Sequence, residues 1–267
     1  MKIFAFDTST HYASLSLWDG EQCVYDMRSQ FGTRHSERLL LELEHGLELS
    51  GWTKNDLEAI VVGTGPGSFT GLRVGLATAQ GLSFAMNLPL YGVSSLDALA
   101  QSAPSGPELL AVCIDARKQE LYVRLYRRNN LASGGVEGQS LEHSTVQAVS
   151  THLLVKPDSL AAKLNAFAED VMLVGNGANV YLETLKQNVH SHIVVPANQW
   201  FHHVWAGHMI PLAWAEIQSG ESKPAHEILP LYIRPSEAEM NIGPPTGGPP
   251  LKDRIREDGS YSSTSES

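Results

Sequence analysis

The chain is organised around the segment Gly63-Thr64-Gly65-Pro66-Gly67-Ser68-Phe69-Thr70-Gly71-Leu72-Arg73. Residues 59–62 before it form a β-branched run typical of a buried strand. The apolar, small-residue segment that continues to Met86 predicts a helix. A glycine-dense turn between a strand and a helix start points backbone N–H groups outward, where the helix dipole favours an anion. The segment therefore predicts either a phosphate-binding loop or a tight turn that lets the helix pack closely against the sheet.

Two better-known phosphate loops do not fit this segment. A Walker A loop needs a Gly-Lys-Ser or Gly-Lys-Thr ending, which does not follow here, and a dinucleotide fingerprint needs a third glycine where Ser68 stands. The spacing alone leaves both interpretations of the glycine loop open.

Composition predicts a soluble globular protein of one large domain or two lobes. The formal net charge of −10 over 267 residues argues against strong nucleic-acid binding by this chain alone, although it allows pairing with a basic protein. Cys23 and Cys113 are far apart, and each lies in a predicted strand, so we expect reduced core thiols. The N-terminus becomes polar too soon for a signal peptide, and no apolar run approaches a membrane span. We therefore expect a cytoplasmic protein.

The first part of the chain predicts a meander followed by alternating helices and strands. Residues 3–6 form a strand that stops at Asp7, and a hairpin signal at Asp19-Gly20 joins two further strands. Leucines at helical spacing predict a helix over residues 36–50, which Gly51 ends. The other predicted elements before residue 103 are the strand 59–62, the helix to Met86, the strand 90–93 and a helix that ends at Gln101.

The second part repeats the pattern of the first. Residues 111–115 form an apolar strand that stops at Asp115, as residues 4–7 stop at Asp7, and an alternating strand follows in both places. This internal similarity predicts a duplicated α/β lobe. We expect an N-terminal lobe over residues 1–103, a C-terminal lobe over 104–236 that contains helices at 157–170 and 204–219, and a disordered tail over 237–267.

Several motifs occur in one order along the chain. They are Asp7-Thr8-Ser9-Thr10, Arg34-His35-Ser36-Glu37-Arg38-Leu39-Leu40, the glycine segment from Gly63 to Arg73, Gly92-Val93-Ser94-Ser95-Leu96-Asp97-Ala98-Leu99, Ile114-Asp115-Ala116-Arg117 and Pro230-Leu231-Tyr232-Ile233-Arg234. Together they resemble the TsaB family of bacterial tRNA threonylcarbamoyladenosine biosynthesis proteins, while residues 200–211 and the tail look unlike it. The resemblance implies a two-lobed α/β fold of the actin, sugar kinase and Hsp70 type (the ASKHA fold), with a ribonuclease-H-like sheet in each lobe.

The resemblance also implies a function. TsaB is a non-catalytic relative of TsaD, which it binds directly. This pair, with the ATPase TsaE, transfers a threonylcarbamoyl group to N6 of adenosine 37 in tRNAs that read codons beginning with A. The family pattern implies a homodimer when TsaD is missing, contact with tRNA only through the complex, and no tightly bound cofactor. It leaves ATP or ADP at the junction with the partner as an open alternative.

The residues that hold a metal in TsaD are not matched in this chain. TsaD-type subunits carry a His-x-x-x-His pair on the helix after the strand that corresponds to residues 90–93, and the matching positions here are Ser95 and Leu99. Leucine cannot bind a metal ion, and a single serine hydroxyl is a poor ligand. His202, His203 and His208 do not share one helix face well. We therefore predict no metal site, no catalytic residue and no enzymatic activity.

Two helices are candidates for the surface that binds the partner. The first carries leucines at helical spacing, and the second carries a stripe of small residues on which another helix could pack closely. The alternative is that both helices only cover their own sheet. The predicted partner contacts are His35, Leu39, Leu43, Leu47, Gly71, Leu72, Gly75, Thr78 and Ala79.

The second function that the sequence allows is an ATP-dependent phosphotransferase of the same fold. Kinases of this fold place carboxylates around metal-bound phosphates at the positions of Asp7 and Asp115, although an aspartate at a strand end is often only a turn residue. The predicted nucleotide-binding residues are Asp7, Thr8, Ser9, Gly65, Gly67, Ser68 and Asp115.

Overall fold

A computed structural model of the chain describes residues 1–30, 35–128 and 146–234, and for residues 35–37 it describes the backbone. The strands are β1 (Ile3–Asp7), β2 (Ala13–Trp18), β3 (Cys23–Ser29), β4 (Ala59–Gly65), β5 (Leu90–Ser94), β6 (Leu109–Asp115), β7 (Leu121–Arg128), β8 (Val146–Ala148), β9 (Leu153–Val155), β10 (Val171–Val174) and β11 (Ile193–Val194). The α-helices are α1 (His35–Leu49), α2 (Phe69–Met86), α3 (Ser95–Gln101), α4 (Pro157–Asn165), α5 (Asn176–Val180), α6 (Leu182–Asn188) and α7 (Met209–Ser219). Short 3-10 helices span Lys54–Asp56, Gln199–His202, Ala206–His208 and Ala225–Glu227.

The strands form two mixed sheets of similar design. The first has the order β3-β2-β1-β4-β5, and the second has the order β11-β10-β6-β7-β8, with β9 also paired to β7. In each sheet the first strand lies at the centre, with an antiparallel neighbour on one side (β2 or β7) and a parallel neighbour on the other (β4 or β10). Asp7 and Asp115 end these two central strands, so the predicted duplication and the two-lobed α/β fold are confirmed.

Helix caps fix the start of the two helices that follow β4 and β5. The Ser68 hydroxyl accepts a hydrogen bond from Gly71 N at the start of α2, and the Ser94 hydroxyl accepts one from Asp97 N at the start of α3. Asn87 ends α2 in the left-handed conformation, with φ of 52°. These caps set where the glycine loop meets the first sheet.

The helices form layers on the faces of the sheets. Helices α1 and α2 cover one face of the first sheet, where buried leucines from both contact Phe4, Phe6 and Leu15. Helices α3 and α7 share a second apolar cluster with residues from both sheets, and α4 and α6 lie against the far face of the second sheet. The core therefore has three apolar parts, one of which joins the two sheets.

Two predicted helices are shorter in the structure. The α-helix expected over residues 204–219 begins only at Met209, directly after the short 3-10 helix Ala206–His208, whose first N–H donates a hydrogen bond to the Ser14 hydroxyl of β2. The helix expected over residues 157–170 ends at Asn165. Helix α7 contacts β4 and β5 of the first sheet, so the chain returns to that sheet near its C-terminus.

The boundary predicted at residues 103 and 104 stays a prediction, and the tail predicted over 237–267 lies outside the described residues. Within the described part of the chain, no helix is both long enough and apolar enough to cross a lipid bilayer.

Candidate functional site

The carboxylate of Asp7 lies beneath the glycine loop and not in a ligand site. One of its oxygens accepts a hydrogen bond from the Ser95 hydroxyl at 2.6 Å, and the other accepts bonds from the Ser9 hydroxyl at 2.7 Å and Ser9 N at 2.9 Å. Its side chain is fully buried, and this burial raises the pKa of Asp7 above its usual value, against the opposing effect of the Ser95 and Ser9 hydrogen bonds. Asp7 therefore ties the β1–β2 turn to the start of α3.

Two other members of the predicted nucleotide set make internal contacts of the same kind. The Thr8 hydroxyl donates a hydrogen bond to Gly71 O of α2 at 2.8 Å, and Gly65 N donates one to the Ser95 hydroxyl at 3.2 Å. Thr8 and Gly65 are both buried. Asp7, Thr8 and Gly65 thus support the loop from below, which corrects the expectation that they contact a ligand directly.

The remaining members of that set line a cleft of about 650 Å³, which we call the interlobe cleft. It lies between the β1–β2 turn and glycine loop on one side and the β6–β7 turn and α5 on the other. Its walls are formed by Ser9, Thr10, His11, Gly67, Ser68, Phe69, Thr70, Ile114, Asp115, Ala116, Arg117, Lys118, Tyr122, Asn176, Tyr232 and Arg234. The structure thus brings Ser9, Gly67, Ser68 and Asp115 to one cleft, and their role in nucleotide binding stays a prediction.

Asp115 is held by neighbours on its own side of the cleft. It accepts hydrogen bonds from Arg117 N at 2.9 Å and from the Tyr181 hydroxyl at 3.4 Å, and the Arg117 guanidinium lies 3.4 Å from its second oxygen. The same guanidinium contacts the His11 imidazole of the β1–β2 turn. The Arg117 guanidinium therefore bridges the two walls of the cleft and compensates the negative charge of the Asp115 carboxylate.

The β6–β7 turn adopts an uncommon backbone conformation. Arg117, Lys118 and Gln119 have φ of 61°, 53° and 59°, a left-handed region that costs non-glycine residues free energy. The Arg234 guanidinium donates a hydrogen bond to Ala116 O at 2.8 Å and pairs with the Glu120 carboxylate, so it holds the turn in place. In the sequence, Arg117 and Arg234 belong to two separate motifs, and no local signal indicates that the fold joins them.

The two positions at which the family resemblance pointed to missing metal ligands are buried in this chain. Ser95 and Leu99 are fully enclosed, and the Ser95 hydroxyl is occupied by Asp7 and Gly65. Among the residues that the structure describes, no three side chains of histidine, cysteine, aspartate or glutamate lie close enough to hold a metal ion.

The three histidines near residue 205 point to different neighbours. His202 is buried between Gly175 O at 3.2 Å and Pro196 O at 2.9 Å. The His203 ring packs against Tyr12 at a centroid distance of 4.1 Å with 42° between the planes, and burial lowers the pKa of His203 to about 4. His208 packs against the Trp205 ring. The structure therefore gives each imidazole a separate packing role in the segment that looks unlike the family.

The predicted partner contacts lie mostly inside the chain's own lobe. Leu39, Leu43 and Leu47 of α1 are buried against the first sheet, and Leu72 and Ala79 of α2 are buried as well. A methyl group added at Gly71 or Gly75 would overlap Thr8 of the β1–β2 turn. The small-residue stripe therefore serves close packing against this turn, which corrects the expectation that it forms an open docking face.

Two members of the predicted set need separate mention. Thr78 is half-buried and donates a hydrogen bond to Val74 O within α2. His35 begins α1, but its side chain lies outside the described part of the chain.

The exposed sides of α1 and α2, which we call the outer helix face, carry several apolar residues among the polar ones. Leu41 of α1 is 63% exposed and Phe84 of α2 is 90% exposed, and Leu40, Ala77 and Gly81 are exposed as well. The two helices contact each other. Helical spacing indicated both helices, but it could not tell which side of α2 faces the sheet, because both sides carry small and apolar residues.

Comparisons with known proteins agree with the resemblance. The family described as TsaD: tRNA N6-adenosine threonylcarbamoyltransferase matches residues 29–242. The chain is 28% identical to the tRNA threonylcarbamoyladenosine biosynthesis protein TsaB of Escherichia coli strain K12, over 88% of this chain and 95% of that protein. It is 30% identical to TsaB of Haemophilus influenzae, over 88% of this chain and 94% of that protein. The solved structure of YeaZ from Pseudomonas aeruginosa has a TM-score of 0.68 and 28% identity, covering 87% of this chain and 99% of that one.

Proposed function

Because the chain belongs to the TsaB family of tRNA threonylcarbamoyladenosine biosynthesis proteins, we propose that it is the non-catalytic subunit that binds and supports a TsaD-type transferase. In this proposal TsaD, assisted by TsaE, modifies adenosine 37 of tRNAs that read codons beginning with A. The chain reaches tRNA only within the complex that it forms with TsaD, or pairs with a second copy of itself when TsaD is missing.

The outer helix face is the observation that carries this proposal. Phe84, which is 90% exposed, projects from α2 next to the exposed small residues Ala77 and Gly81. A large exposed aromatic residue beside small residues suits a partner helix, because the small residues allow close approach and the aromatic side chain provides buried area. Leu40 and Leu41 are large exposed apolar residues on α1, and clustered exposed apolar residues are typical of a protein interface.

The helices of this proposal are those named by the sequence, but the contacting residues differ. Leu43 and Gly75 face the interior, so they support the outer helix face by fixing how α1 and α2 lie on the sheet. Leu41 and Phe84 are the residues that a partner would touch.

The phosphotransferase alternative finds no support in the geometry. That reaction would place Asp7 beside a metal-bound phosphate, whereas Asp7 is fully buried with its oxygens bonded to Ser9 and Ser95. Asp115 is engaged by Arg117 and Tyr181. Neither carboxylate is in position to hold a phosphate-bridging cation.

The test is reconstitution of the transfer reaction from purified components. TsaD and TsaE from the same organism are mixed with unmodified tRNA and threonylcarbamoyl-AMP, and the modified nucleoside is measured by mass spectrometry with and without this chain. We expect product only when TsaD and this chain are both present. Product from this chain alone, or an equal yield from TsaD and TsaE without it, would refute the proposal.

A further inference from the structure

Aromatic side chains from two distant parts of the chain meet at one end of the β2–β3 strand pair. The Arg28 guanidinium of β3 lies over the Trp200 ring at 4.4 Å and over the Trp205 ring at 4.7 Å. Tyr12 comes directly before β2, the neighbour of β3, and its ring packs against His203 at a centroid distance of 4.1 Å. We call this group the aromatic patch, and its members are Tyr12, Arg28, Trp200, His203 and Trp205.

The charges inside the aromatic patch are already paired. The Arg28 guanidinium lies 3.8 Å from the Asp26 carboxylate, and that carboxylate accepts a hydrogen bond from Trp205 Nε1 at 2.5 Å. The patch therefore offers a ligand aromatic surface and little net charge. Together with the formal net charge of −10 on the chain, this pairing argues against a nucleic acid as the occupant and favours an uncharged segment.

The Trp200 ring makes the aromatic patch accessible. Trp200 is 55% exposed, and Tyr12, His203 and Trp205 are half-buried. Rings that are already held by their neighbours provide contact area at a low cost in side-chain entropy. Proline-rich segments dock on surfaces lined with aromatic rings, because the polyproline II conformation is extended before binding and loses little conformational freedom.

The chain itself contains a segment of this chemistry. Residues 243–251, which we call the proline segment, carry Pro-Pro pairs at 244–245 and 249–250 and no charged side chain. Each proline ring fixes φ near −65°, which favours the polyproline II conformation. An uncharged, proline-rich segment therefore matches the aromatic patch in both charge and shape.

The proline segment is tethered within reach of the aromatic patch. The described part of the chain ends at Arg234, which donates a hydrogen bond to the β6–β7 turn. Arg117 of that turn contacts His11, the residue before Tyr12. Nine residues separate Arg234 from Pro244, and nine residues span about 30 Å when extended.

We infer that the aromatic patch binds the chain's own proline segment, with prolyl rings packed against Trp200 and its neighbours. A short tether holds a segment at an effective concentration of about 1 mM, so an intramolecular contact is populated even where the free segment binds weakly. This site involves neither α1 nor α2, and it therefore goes beyond the partner-binding role proposed above and does not depend on it.

Nuclear magnetic resonance of the full chain tests the inference without TsaD. The unchanged chain is compared with a tail variant that carries Pro244→Ser, Pro245→Ser, Pro249→Ser and Pro250→Ser. We expect the indole N–H signals of Trp200 and Trp205 to shift in the tail variant, while the signal of Trp52, which precedes β4, stays unchanged. A second variant with Ile255→Ser and Tyr261→Ser, outside the proline segment, is the matched control and should leave all three signals unchanged.

Peptide binding shows whether the tail occupies the aromatic patch. A fluorescein-labelled peptide of residues 241–252 is titrated into both proteins and followed by fluorescence anisotropy. Because the proline segment of the unchanged chain competes, the peptide should bind the tail variant at least fivefold more tightly than it binds the unchanged chain. Added to the tail variant, Trp200→Ala should weaken peptide binding at least fivefold and Trp200→Phe should retain most of it. Phe167→Ala, which changes a partly exposed ring next to α4, should leave peptide binding unchanged.

Four results would overturn the inference. They are unshifted Trp200 and Trp205 signals in the tail variant, the same shifts in the matched control, equal or undetectable peptide binding by the two proteins, or shifts that depend on protein concentration, which would mean that a second copy supplies the segment. Melting temperatures of the variants show that they are folded. Trp200→Phe provides the second comparison if Trp200→Ala is destabilised, since a variant that keeps an aromatic ring but loses binding equally would also contradict ring packing.

Discussion

Replacing Gly75 by alanine should destabilise the chain, although alanine is the better helix former. Gly75 lies in the middle of α2, where an added methyl group would overlap the hydroxyl of the buried Thr8. That hydroxyl donates a hydrogen bond to Gly71 O at 2.8 Å, so it cannot move without losing the bond. Gly81 on the outer helix face is the matched control, because nothing lies within 4 Å of a methyl group added there.

The expected magnitudes follow from these contacts. Overpacking at Gly75 costs about 1–3 kcal/mol, and the strained hydrogen bond costs roughly 1 kcal/mol. The gain in helix propensity returns about 1 kcal/mol. We therefore expect Gly75→Ala to lower the free energy of unfolding by about 1–3 kcal/mol and Gly81→Ala to raise it by about 0.5–1 kcal/mol.

Thermal and urea unfolding of both variants, followed by circular dichroism, measures these changes. For a chain of this size each kcal/mol moves the melting temperature by about 2–4 °C. Opposite shifts for the two alanines support the assignment of the inner and outer sides of α2. A Gly75→Ala variant as stable as the unchanged chain, or equal losses in both variants, would refute the assignment.

Four further substitutions test other parts of the structure. Leu43→Ala should lower the free energy of unfolding by about 2–5 kcal/mol because the Leu43 side chain is buried in the first lobe. Leu41→Ala, on the outer side of α1, should change it by less than about 0.5 kcal/mol. Equal shifts of the urea midpoint in the two variants would contradict this difference. Burial raises the pKa of Asp7 above 3.8, so as pH rises Asp7 ionises in the unfolded chain before it ionises in the folded chain. The melting temperature of the unchanged chain should therefore fall relative to that of Asp7→Asn between pH 4 and neutrality. A difference in melting temperature that does not change with pH would refute the buried environment of Asp7. Burial lowers the pKa of His203 to about 4, so the melting temperature of the unchanged chain should fall relative to that of His203→Phe as pH falls from about 6.5 to about 4. Parallel pH profiles would contradict a neutral imidazole packed against Tyr12.

The sequence was sufficient for most of the secondary structure because each element carries a local signal. The β-branched run before Gly63 and the alternation in residues 13–18 match β4 and β2, and the two strands that stop at Asp7 and Asp115 became the centres of the two sheets. These patterns reflect burial on one or both faces of a strand, which the residue order records directly.

The functional surfaces were harder to predict because they depend on contacts between distant residues. Nothing near Gly75 in the sequence indicates that Thr8 lies against it. From the sequence alone, the stripe of small residues was therefore as consistent with packing against a partner helix as with packing against the chain's own β1–β2 turn. Similarly, Arg117 and Arg234 meet at the β6–β7 turn only because the chain returns to the cleft after α7. Such contacts have no local period, and therefore only the fold reveals them.

The central claim is that the outer helix face binds TsaD, and the affinity of purified TsaD for variants of that face tests it most directly. Phe84→Asp and Leu41→Asp change exposed side chains, so the chain should remain folded, and Val180→Asp changes a residue of α5 that is 58% exposed in the second lobe. We predict that Phe84→Asp and Leu41→Asp each lower the affinity at least tenfold, while Val180→Asp leaves it unchanged. Unchanged affinity in both outer-face variants would contradict the account.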